Sequence, residues 1–208
     1  MIPALPPSVE QSVELLERAL AYTRGRLAHV TPDLLHSPTP CAAWDLQGLL
    51  EHMDDALDAF LEAAGGVVAL RSRPADPSAT ATVGRLQVKA CTLVGVWTAS
   101  IRGGAQTVEI GGRPMPTALL VGTAALEVAV HGWDVGRSTG EAAPLPAELA
   151  RALRPIAAFS VTAADRGVRF ADPVPVGPDA APDQLLLAHL GRSDAPYGQI
   201  SAVPRTGS

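Results

Sequence analysis

Little of this 208-residue chain is aromatic (4%) or charged (18%), and cysteine occurs only at positions 41 and 91. Two distant cysteines with no CxxC spacing make neither a disulfide framework nor a zinc ribbon. Positive charge is also scarce. Lys89 is the sole lysine, and 16 basic residues against 21 acidic ones leave a net charge of −5. No basic cluster or aromatic-interleaved patch is present, which argues against a nucleic-acid partner. Long hydrophobic runs are missing as well: residues 117–135 come nearest, but Glu127, His131 and Asp134 interrupt them. The pattern therefore argues against a membrane span. Residues 1–10 lack the basic start and apolar run of a secretory leader, so the expectation is a cytoplasmic protein. Nothing resembles a Ser–His–Asp set, a P-loop or a dinucleotide-binding fingerprint.

What is present is 47% hydrophobic residues, mostly Ala, Leu and Val, with 19 prolines and 19 glycines falling mainly between apolar segments. Small aliphatic side chains at helical intervals suit closely packed helices. Residues 8–29 place Val9, Val13, Leu16, Leu20 and Leu27 along one side. Pro32, Pro38 and Pro40 end that helix, and Asp45 reads as the N-cap of a second over residues 46–64, closed by Gly65-Gly66. After a proline-containing connection at 71–78, residues 80–102 form a third, with Leu86, Ala90, Leu93, Trp97 and Ile101 recurring. Residues 103–116 predict a short extended excursion or hairpin around Gly111-Gly112. A fourth helix covers 117–139, stopped at Gly140, and a fifth covers 146–165, bent or divided by Pro155. A short apolar helix follows at 184–190, and 193–208 reads as a flexible tail. The expected organisation is an all-α bundle over 1–166, a C-terminal segment over 167–192 packing on it, and the tail.

Polar groups inside apolar helices are the informative exceptions, because burying them is costly without a partner. Glu127 and His131 stand four apart, one turn from each other on a single face, in line with Leu120 and Ala124. Such a pair can grip a divalent ion or be a solvated pair. His52 shares its face with Leu49 and Ala56, either as a core histidine or as a third ligand completing a His₂Glu set. Asp134, one turn beyond His131, can hold that imidazole or pair with Arg137, and Asp55 has the same choice between supporting His52 and being a surface charge. Trp44 reads as a core anchor or a substrate contact, and Cys41 as a small apolar group. His29, His36 and His189 fall at a helix end, in a loop and on a surface-like segment, and are weaker candidates.

Two separated motifs carry a resemblance. Thr39-Pro-Cys-Ala-Ala-Trp-Asp-Leu-Gln-Gly-Leu-Leu-Glu-His52 resembles the opening of the second helix in the DinB-like superfamily, and more closely in the mycothiol-dependent maleylpyruvate isomerase N-terminal domain and its stand-alone relatives. Glu127-Val-Ala-Val-His131-Gly-Trp-Asp-Val-Gly-Arg-Ser-Thr-Gly140 resembles their fourth-helix segment, and the stretch from Val174 to Arg192 resembles the closing segment of the stand-alone group. Gly48 departs from the pattern, standing where a better helix former is usual, at up to about 1 kcal/mol of propensity and away from any ligand.

The resemblance implies a DinB-like four-helix bundle holding a divalent metal, commonly zinc or nickel, on His52, Glu127 and His131. It further implies a metal-dependent enzyme that uses a small thiol such as mycothiol for S-transfer, or for thiol-assisted isomerisation of an electrophilic small molecule. The isomerase carries a further domain for which this chain has no room, so its own substrate and reaction are not carried over. Two alternatives stay open: a thiol-independent metal-dependent lyase, cyclase or hydrolase of secondary metabolism, and a non-catalytic metal-binding protein. The expected partners are a small-molecule substrate and, through apolar helix faces, a second copy in a homodimer.

Overall fold

The computed structural model describes residues 8–41, 44–65, 79–104, 106–141 and 143–193. The connection at 71–78 and all of the tail beyond Ser193 lie outside them, as does the side chain of Ile101. Helix α1 spans Val9–Leu27 and opens on a capping box: Ser8 Oγ accepts the Gln11 amide at 3.2 Å, and Gln11 Oε1 accepts the Ser8 amide at 2.8 Å. Helix α2 spans Leu46–Ala64, and its N-cap Asp45 accepts the Gly48 amide at 2.9 Å. Helix α3 covers Ala79–Arg102, with Leu86, Leu93 and Trp97 buried at the predicted spacing. The excursion is an antiparallel hairpin of β1 (Thr107–Ile110) and β2 (Arg113–Pro116). Gly111 and Gly112 turn it at φ of 57° and 75°, the left-handed pair that a two-residue hairpin turn requires.

Helix α4 spans Thr117–Ser138 and is buried on nearly every side over its last three turns, from Leu126 to Gly136 with only Glu127 half-exposed. Its composition alone would let it cross a membrane, but 78% of the apolar window lies inside the bundle. Helix α4 packs on α1 and α2, and α3 closes the ring by packing on both of those. Leu16, Leu46, Leu49, Leu50, Leu93 and Trp97 are fully enclosed there, each aliphatic side chain contributing about 1.5–3 kcal/mol by leaving water.

The fifth helix is shorter than its sequence suggests. Helix α5 runs Ala147–Ser160 with Pro155 inside it, undivided, and stops because Val161 turns extended at φ −114° and ψ 102°. Residues Ala163–Asp165 form a separate 3-10 turn. Helix α6 (Pro182–His189) lies against α5 and buries Leu186 and Leu187, with Leu190 buried just beyond.

Candidate metal centre

The opening of α2 is tied down by one hydroxyl. Thr39, 1% exposed, shares its proton between the carbonyls of Cys41 (2.9 Å) and Trp44 (2.8 Å) and accepts the Cys41 amide at 3.1 Å. That turn lays the Trp44 ring on His52, with centroids 4.4 Å apart and planes 25° from parallel. Gly48 is explained by the same contact. A Cβ there would sit 3.3 Å from Trp44 Cβ and Cδ1, so the glycine makes room for the ring that stacks on His52. Gly48 itself touches no ligand, as its sequence suggests; its contact is with Trp44.

His52, Glu127 and His131 converge from α2 and α4, their nearest donor atoms all within 4.8 Å of one another. Glu127 Oε1 is the hub: His52 Nε2 lies 2.7 Å from it and His131 Nε2 3.1 Å. The two imidazoles meet edge-on, centroids 5.0 Å apart at 83°. His131 is buried, whereas the His52 and Glu127 side chains keep 33% and 29% of their surface, so one side of the cluster is open.

Beneath His131, its Nδ1 lies 2.9 Å from Asp134 Oδ2. Asp134 is fully enclosed and takes a forked grip from Arg192, whose Nε donates to Oδ1 at 2.9 Å and Nη2 to Oδ2 at 2.7 Å. The choice left open in the sequence is thereby resolved: Asp134 holds His131, and the guanidinium of Arg137 instead lies over the Trp133 ring, 5.7 Å from its centroid. Asp55 is exposed on α2 and stands apart from the cluster. His36 is exposed and bonded to Asp45 at 3.0 Å, while His189 approaches the Ala157 carbonyl at 3.4 Å, both elsewhere. Arg192 is the residue that sequence reasoning missed; its only signal was its place at the end of the resembling C-terminal stretch.

Burial on its own would raise both carboxylates, but the groups bonded to them override it. Glu127 is held well below its ordinary range by His131 and His52, and Asp134 is held low by Arg192 and His131. Burial likewise disfavours a charged His131, yet Glu127 and Asp134 outweigh it and carry the imidazole up to about 9. Ionised carboxylates only accept hydrogen bonds, so an imidazole between two of them carries a proton on each nitrogen. Metal-free His131 is therefore a cation at neutral pH. The donor set suits a borderline divalent ion: two imidazole nitrogens and one carboxylate oxygen, with an open side and an imidazole oriented from behind by a carboxylate.

No family model matches the chain. Two uncharacterised proteins of Mycobacterium tuberculosis, one from strain CDC 1551 / Oshkosh and one from strain ATCC 25618 / H37Rv, are each 28% identical to it over 179 residues, covering 85% of this chain and 95% of theirs. Among solved structures, the crystal structure of the mycothiol-dependent maleylpyruvate isomerase superposes with a TM-score of 0.55 at 16% identity, over 70% of this chain and 68% of that one. The likeness is one of fold, and this chain is a mostly helical bundle with one two-stranded hairpin among the described residues.

Proposed function

We propose that the chain is a divalent-metal-dependent enzyme that uses a small thiol, mycothiol or a close relative, for S-transfer to an electrophilic small molecule or for its thiol-assisted isomerisation. The observation that carries this reading is the convergence of His52, Glu127 and His131 with one side open, in a fold shared with a mycothiol-dependent isomerase. Bound there, zinc or nickel would supply Lewis acidity, favouring the thiolate of a small thiol over the thiol at neutral pH. The chain's own part is to present the donors. Glu127 brings a negative charge between two imidazoles, Trp44 holds the His52 ring flat against it, and Asp134 keeps the Nδ1 proton so that His131 Nε2 is left for the ion. The half-exposed edges of His52 and Glu127 leave room for a thiol to approach. The same openness is also compatible with a thiol-independent reaction.

Zinc-loaded protein incubated with mycothiol and monobromobimane is expected to form the conjugate well above the rate of protein stripped with EDTA. Saturable thiol binding without turnover would mean a binding protein. No thiol effect at all, with a loss of thermal stability on chelation, would mean a structural ion.

The protonation of His131 sets a pH dependence. Because its folded pKa, about 9, is above the ordinary 6.5, the stabilisation it gives metal-free protein is full below pH 6.5 and is lost as pH rises through 9. EDTA-treated protein should thus lose stability over that window, by on the order of a few kcal/mol, seen as a falling urea midpoint. Metal binding must displace the Nε2 proton, so the rise in midpoint produced by saturating Zn²⁺ should grow over the same range. A zinc effect that shrinks as pH rises from 6.5 to 8.5 would contradict His131 as a ligand.

A further inference from the structure

Asp134 and Arg192 are 58 residues apart and together form a charged pair inside an apolar bundle, with relative exposures of 0% and 9%. Such a pair is a poor device for stability, since apolar residues of similar volume usually serve as well. What it does geometrically is specific. Arg192 occupies both oxygens of Asp134, leaving Oδ2 only one further direction, and His131 Nδ1 takes it at 2.9 Å. Arg192 is itself placed by the turn that ends α6. Its amide donates to the Leu187 carbonyl at 2.9 Å, and Gly191 before it adopts φ 76° against Ala171, where a Cβ would come within 2.7 Å.

We propose that Arg192 is a positioning residue for the metal centre: its fork on Asp134 fixes the ring and the Nδ1–H tautomer of His131, so that docking of the C-terminal segment and completion of the centre are one event. This rests on the metal reading above. A lysine would keep the charge but lose the two-point geometry.

The test compares wild type with Arg192→Met and Arg192→Lys, reading Zn²⁺ affinity by chelator competition, the visible spectrum of the Co²⁺ form, and the fold by far-UV circular dichroism. Arg192→Met should bind Zn²⁺ about 10–100-fold more weakly and alter the Co²⁺ spectrum, with Arg192→Lys recovering part of the loss. Folded Arg192→Met with affinity within about twofold of wild type overturns the proposal. If Arg192→Met does not fold, Arg192→Lys decides on the same criterion. Nitrogen-15 spectra of the histidines in Zn²⁺-loaded wild type give a mutation-free check: His131 protonated on Nδ1 supports the clamp, and His131 protonated on Nε2 overturns it. Wild type that takes up no Zn²⁺ overturns the metal reading itself, which separates that failure from this one.

Discussion

Replacing His52 with alanine should abolish stoichiometric metal in the purified protein and weaken Zn²⁺ binding by more than ~100-fold, beyond what removing a supporting residue costs. Glu127 and His131 lie one turn apart on α4, and only His52 reaches the same point from α2. Without it two donors remain, and the ion loses the tie between two helices along with a ligand. The fold should survive. His52 keeps a third of its side chain exposed, and Glu127 retains its contact with His131 at 3.1 Å. Metal analysis by mass spectrometry, chelator competition and a circular dichroism control decide the matter. Wild-type metal content in a folded His52→Ala variant would sink the assignment.

Gly132→Ala should cost about 3 kcal/mol, near the top of the usual range for overpacking. Helices α1 and α4 approach so closely at this point that the new Cβ would lie 2.2 Å from Thr23 Oγ1, 2.9 Å from its Cβ and 3.1 Å from its Cα. Turning the threonine side chain relieves only the first contact, and it breaks the hydrogen bond from Thr23 Oγ1 to the Val128 carbonyl at 2.8 Å. The backbones themselves must separate, next to His131. Calorimetry should show the melting temperature falling by roughly 6–12 °C for a chain of this size. Gly95→Ala is the control: that helical glycine is exposed with open space around it, so the same methyl should stabilise by about 0.5–1 kcal/mol. Equal effects at the two positions would remove the close-approach argument.

Much of the helical framework was readable because its signals are local. Asp45 announces a helix start through a side chain that reaches the next turn, and Gly140 ends α4 at φ 79°. The hairpin was legible in two adjacent glycines. Pro155 shows the limit of such reading: a proline inside a helix removes one donor, yet Leu149, Leu153 and Ile156 bury one face on both sides of it, and that packing keeps α5 continuous.

At the centre, the residue types His52, Glu127 and His131 stood out by themselves, since charged or polar groups on an apolar helix face demand a partner wherever they lie. Sequence alone thus determined most of the helical framework, the Asp45 cap and the three exceptions to the apolar pattern. Only the tertiary structure decided which of Asp134 and Asp55 faces an imidazole, that Arg192 reaches Asp134 across 58 residues, and how closely Trp44 crowds Gly48 and Thr23 crowds Gly132. Each of those depends on how close two helices come and at what rotation, which is set by the packing of the whole core and leaves no periodic trace in the chain.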